Sequence, residues 1–281
     1  MWNQIKTILL LGLLSGILLG IGSLFGLNGL ILGFVISFVM IFISYFFSDK
    51  IALAMYSAKL VTPKEKPDLH KIVDEVCKAS NCLKPKVYVI NSQISNAFAC
   101  GRNENHSAIA VTTGIMQLLN KDELKGVIAH EIAHIKNRDI LISSVTALIA
   151  SSISFIASMF RWGAIFGTGG DRDRGNIISL LILSIITPIM ATLIQLAISR
   201  SREFQADKSG AKNVGNSEYL ATALEKIEGS IKKMPLKQNE VTESTAHMFI
   251  LNPFSGGGII RLLSTHPKTE ERTNRLRKMN F

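Results

Sequence analysis

Uncharged residues gather in four long blocks, and the polar stretches between them carry short apolar periodicities of their own. Residues 8 to 25 hold no charged side chain, and after a Gly-Leu-Asn-Gly turn residues 29 to 47 hold none either. Each is about long enough, as a helix, to cross the hydrocarbon core of a bilayer. A cleaved signal peptide is the competing reading of the first block. Its apolar run exceeds the roughly 7 to 15 residues usual there, and no small-residue cleavage site precedes the second block, so residues 1–47 read as a transmembrane hairpin. A third block, Ile140 to Phe160, carries serines at 143, 144, 151, 152, 154 and 158, which suit close helix packing in lipid. A fourth, Ile177 to Ile198, is interrupted only by Pro188, tolerated in membrane helices as a kink. Between them, residues 161–176 form a polar loop with Gly-Thr-Gly-Gly and Asp-Arg-Asp-Arg. The pattern predicts four transmembrane helices; blocks three and four also read as core helices of a soluble domain, because serine lowers the hydrophobicity of the third.

The polar segments, 48–139 and 199–281, read as two parts of one domain split by the 140–198 pair. Pro67 to Ala79 is an amphipathic helix with Leu69, Ile72, Val73 and Val76 on one face, and Lys86 to Ile90 is a short strand after Pro85. Asn96-Ala-Phe-Ala-Cys100-Gly101 and the alternating run Ser107 to Thr113 complete a predicted small antiparallel sheet. Its outer strand, Asn96, Ala97, Phe98 and Ala99, is a candidate to hold an extended peptide by main-chain hydrogen bonds. It reads equally well as a core strand and turn. Asn120 with Glu123 predicts a capping box opening a helix, in which Leu124, Val127, Ile128, Ile132 and Ile135 recur at helical spacing. Lys232 to Gly258, polar and glycine-rich, reads as a mobile flap.

Composition sharpens this picture. The chain is 47% apolar with mean hydropathy +0.29, too hydrophobic for an ordinary soluble domain. A formal charge of +10 suits nucleic acid or an anionic bilayer face; the apolar blocks favour the bilayer, and no aromatic-basic interleaving points to nucleic acid. Cys77, Cys82 and Cys100 form neither a disulfide framework nor a cysteine zinc motif, and fit a reducing compartment. Thirteen Lys and Arg lie between Ser48 and Asp139 and fourteen after Ile198, against three in the 161–176 loop and none in the 26–28 turn. The positive-inside rule then places both termini and both polar segments in the cytoplasm.

Candidate chemistry centres on His130-Glu131-Ile-Ala-His134. Two imidazoles four residues apart share one helix face, and Glu131, from the neighbouring flank, can reach a metal-bound water without becoming a ligand. Alone, His130 and His134 also read as buried structural histidines. A catalytic zinc needs three protein ligands and one open position, and the stretch Ser199-Arg-Ser-Arg-Glu203-Phe-Gln-Ala-Asp207 offers a third. If the fourth block returns to the cytoplasmic face and its helix continues, Glu203 comes back beside the histidines as a His₂Glu set for one zinc ion per chain. Asp207, one turn on, can then orient an imidazole. Glu203 and Asp207 also read as an exposed charged helix face.

Taken together, these motifs resemble the HtpX membrane-bound zinc metalloproteases, relatives of the CAAX prenyl proteases. The likeness runs through an N-terminal apolar pair, Asn96-Ala-Phe-Ala, His130-Glu-x-x-His134 followed by Asn137 and Asp139, Ser-Arg-Glu203-Phe-x-Ala-Asp207, and Ser264-Thr-His266-Pro267 with Arg272. It implies a helical membrane protein with an α+β zincin-like cytosolic protease domain. It implies that zinc is bound by His130, His134 and Glu203, that Glu131 is the general base, and that Asp207 and Asn137 support the metal shell. It further implies endoproteolysis of misfolded membrane or unfolded polypeptides at a site facing the cytosol, as quality control under stress in a bacterial inner membrane. His266 and Arg272 are implied as donors to a tetrahedral oxyanion. Arg272 also reads as one of four basic residues on a solvated face, and His266 as a helix-start histidine. His70, His106 and His247 read as structural or surface residues. Two rival readings are an intramembrane metalloprotease, disfavoured by Lys121, Lys125, Lys136 and Arg138 around the motif, and a four-span transporter or scaffold with an incidental histidine pair.

Overall fold

The computed structural model describes residues 52–101, 103–139, 174–233 and 266–280, with positions 31, 35, 39, 46, 47, 49 and 50; for residues 174–184, 188 and 195 it describes the backbone alone. The first and third apolar blocks, most of the second, residues 161–173 and residues 234–265, which include all of the expected flap but Lys232 and Lys233, lie outside the described residues. Among the described residues no helix is long and apolar enough to cross a membrane. The chain divides into two compact units, one of Met1–Tyr45 with Ile142–Ile198 and one of Phe46–Leu141 with Ser199–Phe281.

The second unit is built on a four-stranded sheet: β1 (Lys59–Leu60), β2 (Lys86–Ile90), β3 (Ala97–Gly101) and β4 (Ser107–Thr112), in the order β1-β2-β4-β3. The expectation of an antiparallel sheet is corrected here. β2 runs parallel to β4, while β1 with β2 and β3 with β4 are antiparallel. Strand alternation sends Val87, Ala97, Ile109 and Val111 into the main core, and Ile90, Phe98, Cys100, Ala108 and Ala110 to the opposite face against Ala52, Leu53 and Tyr56. Both faces being covered, every residue of β4 is buried.

Helices fill the other layer. α1 (Pro67–Ser80) starts with Pro67 in the first turn, where its missing N–H costs nothing, and buries Leu69, Ile72, Val73 and Val76 at helical spacing. A short α2 (Thr113–Leu118) leads into α3 (Lys121–Lys136), opened by the complete Asn120–Glu123 capping box. α3 is the central helix: Val127, Ile128, Ala129 and Ile132 are all fully buried, and each large aliphatic of this kind contributes about 1.5–3 kcal/mol relative to exposure. It stops at Lys136, with Arg138 in left-handed conformation at φ 57°. α4 (Arg174–Val214) is one helix of 41 residues, followed by α5 (Glu218–Lys233) and α6 (Thr269–Arg277). Ala221, Leu224 and Ile227 of α5 and Leu276 of α6 close the same core.

Where α3 meets α5, only hydrogen fits. A Cβ on Gly126 would lie 2.6 Å from the Leu220 nitrogen and 2.7 Å from the Tyr219 carbonyl carbon. Backbone cannot swing aside, so Gly126→Ala is expected to cost about 1–3 kcal/mol and to lower the thermal unfolding midpoint. Gly229→Ala, in open space on α5, is expected instead to raise it, by up to about 1 kcal/mol of helix propensity. Thermal denaturation of the two variants beside the native chain checks both signs.

Candidate metal centre

α3 is buried on almost every side, so its polar residues must find partners inside the protein. His130 is 2% exposed and Glu131 5%. The two imidazole Nε2 atoms face each other at 3.1 Å, with the rings edge to face. α4 supplies the third group: Glu203 lies 3.5 Å from the His130 Nε2 and 3.4 Å from the His134 Nε2. The Glu203 carboxylate turns a different oxygen to each imidazole, Oε2 to His130 and Oε1 to His134, and one ligand atom from each residue lies within 4.8 Å of the others, so the three groups form a small triangle. The individual separations are close to the edge of about 3.3 Å that a tetrahedral shell with bonds of about 2.0–2.1 Å requires. The approach depends on Gly210 of α4, where a Cβ would come within 2.9 Å of the Ala129 carbonyl and the His130 nitrogen.

Each imidazole is turned by its far nitrogen. The Nδ1 of His130 lies 2.9 Å from Asp207, and the Nδ1 of His134 lies 2.9 Å from Asp139. The His134 contact is a hydrogen bond, while the His130 contact has the distance but not the angle of one; with a proton on each Nδ1, both Nε2 lone pairs are left for the centre of the triangle. Each carboxylate is in turn held by an arginine. Arg272, fully buried, donates from Nε and a terminal nitrogen to the two Asp207 oxygens at 2.9 and 2.7 Å, and Arg202 donates to Asp139. Arg272 also reaches Glu203 at 3.3 Å, and the Nδ1 of His266 lies 3.1 Å from the same Glu203 oxygen.

Charge decides what the site seeks. Glu131, Asp139, Glu203 and Asp207 are all buried, against the guanidinium groups of Arg202 and Arg272. With the imidazoles neutral, two negative charges stand unmatched in this cluster. The Oε2 of Glu203, although within ion-pair distance of His266 and Arg272, receives no hydrogen bond of good geometry among the described residues. A divalent cation in the triangle answers both facts, and nitrogen and oxygen donors at this spacing fit one. The electrostatics point the same way. Burial opposes charge on every group here, yet Asp207 and Glu203 raise His130, and Asp139 and Glu203 raise His134 well above its ordinary value. Against burial, His266, His130 and His134 hold Glu203 well below the carboxylate range, and Arg272 and His130 hold Asp207 down.

Glu131 differs. Burial pushes its carboxyl up, and this outweighs the downward pull of the histidines. It accepts a hydrogen bond from the Ala99 N–H at 2.8 Å, which ties it to β3. There the Asn96 carbonyl pairs with the Thr112 N–H at 3.0 Å. The two-residue alternation of an antiparallel ladder then turns the main chain of Ala97, Ala99 and Gly101 toward the open edge of the sheet.

The structure thus brings His130, His134, Glu203, Asp207, Glu131, His266 and Arg272 together and sets Asn96 to Ala99 beside them. The side chains of Asn96, Ala97 and Phe98 are buried, so the strand can meet a peptide through its backbone. Asn137, expected to support the shell, caps the end of α3, and its amide nitrogen has no hydrogen-bond partner among the described residues. Asp139 holds His134 instead. Sequence reasoning gave no role to Asp139 or Arg202, though the carboxylate just beyond the second histidine and the arginine just before Glu203 were the available signals.

Peptidase family M48 matches residues 63–280. A "Protease HtpX homolog" of Sulfurihydrogenibium sp. is 50% identical over 99% of this chain and 97% of its own length. That of Pyrococcus furiosus is 49% identical over 98% and 95%. The fold is similar to that of S. mikatae Ste24p, with TM-score 0.57 at 22% identity, over 98% of this chain; the chain spans 65% of the Ste24p chain.

Removing one partner of a buried ion pair leaves the other charge without compensation, at about 3–5 kcal/mol. Arg272→Met is therefore expected to lower the unfolding midpoint steeply. Arg272→Lys recovers little of it, because a point charge does not match two carboxylate oxygens bidentately. Asp139→Asn and Asp207→Asn are each expected to weaken metal affinity about 10–100-fold, measured by competition with a chromophoric chelator.

Proposed function

This chain belongs to peptidase family M48 and is a metalloprotease, and from that premise we propose a zinc-dependent endopeptidase, anchored in a membrane by four spans, that cleaves misfolded or damaged membrane proteins at a cytosol-facing site. The observation that carries the reading is the convergence of His130, His134 and Glu203 with Glu131 on the adjoining flank. In the proposed chemistry His130, His134 and Glu203 hold one zinc ion, which when bound supplies an acidified water and a Lewis acid for the scissile carbonyl.

The protein's own groups do the rest. Glu131, its carboxyl raised by burial, takes the proton of the attacking water and passes it to the leaving amine. The Ala99 N–H fixes which way that carboxylate points. A substrate strand laid along the outer edge of β3 would pair with main-chain groups of Ala97 and Gly101, next to Glu131. Backbone pairing of this kind tolerates many side chains, which suits a protease of damaged proteins. His266 is the candidate donor to the developing oxyanion. Arg272, engaged with Asp207 and Glu203, serves to keep those carboxylates in place. The intramembrane alternative loses support from Lys121 and Lys125, which form ion pairs with Asp68 and Glu75 on α1, an arrangement suited to water.

Membrane anchoring rests on the uncharged blocks at 8–25, 29–47, 140–160 and 177–198. An alkaline carbonate wash is expected to leave the chain in the membrane pellet, and release to the supernatant would contradict the four spans. For the chemistry, the decisive comparison is metal content and casein cleavage of detergent-purified native chain beside Glu131→Gln and Glu203→Ala. Native protein should hold about one zinc and cleave; Glu131→Gln should keep the metal and lose at least about a hundredfold in rate; Glu203→Ala should lose both. Cleavage by Glu131→Gln at the native rate would refute the assignment.

A further inference from the structure

α1 ends in a turn that brings two thiols together. Asn81 takes the left-handed conformation at φ 49°, ψ 54°; its N–H bonds back to Lys78, and the Cys82 N–H bonds back to the Cys77 carbonyl at 3.1 Å. This is the double hydrogen bond of a Schellman cap, in which the residue after the left-handed one packs against the residue five positions earlier. Here both of those positions are cysteine. Cys77 lies in the main core with Cys82 packed against the same cluster, and the thiol of Cys77 donates to the Leu83 carbonyl, the residue next to Cys82, at 3.9 Å. Cys77 is buried and Cys82 half-buried, so a small reagent approaches through Cys82.

We propose that Cys77 and Cys82 are a reversible dithiol site that closes to an intramolecular disulfide by exchange with a low-molecular-weight disulfide of the glutathione type. The Cys82 sulfur attacks one sulfur of the oxidant, forming a mixed disulfide and releasing one small thiolate. The Cys77 sulfur then attacks Cys82 and releases the second. Two protein S–H bonds and the oxidant's S–S bond break; one protein S–S bond and two small-molecule S–H bonds form. The direction of attack follows from exposure, Cys82 being half-buried and Cys77 buried, and the electrostatics agree: the neighbouring Cys77 holds the Cys82 thiol below its usual range, helped by Lys136 and opposed by burial and Glu104, while Cys82 and burial push Cys77 up. Cys100 lies on β3, on the opposite face of the sheet, and takes no part.

The position matters because Ser80 lies within the same cap. Its carbonyl accepts from the ammonium of Lys136, two residues past His134, and its hydroxyl accepts from Asn213 of α4 at 2.9 Å. The dithiol therefore sits against the ends of both helices that carry the metal-site residues.

The test uses full-length protein purified in detergent and equilibrated across ratios of reduced to oxidised glutathione, then acid-quenched, alkylated with N-ethylmaleimide and digested with trypsin. Cleavage at Lys78 places the two cysteines in separate peptides, 72–78 and 79–86. The expected result is a linked pair of these peptides, lighter than their sum by two hydrogens, which grows with the oxidised fraction, vanishes on adding dithiothreitol and is unchanged in Cys100→Ser. The proposal is overturned if both cysteines stay fully alkylated in oxidised glutathione, if Cys82 stops at a stable glutathione adduct, or if either residue pairs with Cys100.

Discussion

Among the described residues, four carboxylates are buried around His130 and His134 with two buried guanidinium groups to balance them, and much of the surrounding structure is arranged so that this is tolerable. An isolated buried carboxylate would take up a proton rather than stay charged. Here two parallel relays give the buried groups partners: Arg272 to Asp207 to His130, and Arg202 to Asp139 to His134. Each relay fixes one imidazole by its Nδ1 and so points one Nε2 lone pair inward. What remains is a pocket of negative charge shaped for a small divalent ion.

Bringing the relays together sets the packing. Glu203 and Asp207 must approach the His130 backbone closely, and Gly210, Ala206 and Ala129 are small where α3 and α4 meet. Gly126 does the same for α5. The apolar residues at 127, 128 and 132 then surround the polar face with close-packed aliphatic groups, which keeps water from screening it. Glu131 forms no ion pair among the described residues, and burial raises its carboxyl. The group proposed as the general base is thus set apart, by surroundings alone, from the carboxylates held by arginine.

How legible this was depended on how local each feature is. The capping box, the helix after it and the limits of β2 follow from residues within a few positions of each other, and all could be read from the chain. Strand direction could not: the period-two pattern of Lys86–Ile90 and Ser107–Thr112 is the same whether the pair runs parallel or antiparallel, and only the chain crossing between them decides. The histidine pair and Glu203 stood out because spacing and chemistry agree. Asn137 came only with the family resemblance, and the return of Asp139 to His134 was not readable, because it depends on the backbone turning left-handed at Arg138. The burial of Arg272 was unreadable for a related reason. α6, Thr-Glu-Glu-Arg-Thr-Asn-Arg-Leu-Arg, is polar but for Leu276, and only contact with Asp207 and Glu203 distinguishes one of its arginines from the others.

The distance along the chain between the two halves of the site bears on how the protein comes into being. Synthesis proceeds from the N-terminus, so the histidines and Glu131 emerge well before Glu203, and Arg272 follows later still. Until then no third ligand and no guanidinium for Asp207 exist, and the half-made protein lacks the shell that would hold a cation. Hydrolytic capability cannot precede Glu203 and Arg272, so the stretch from the histidines to Arg272 is already made before an active site exists that could cut it.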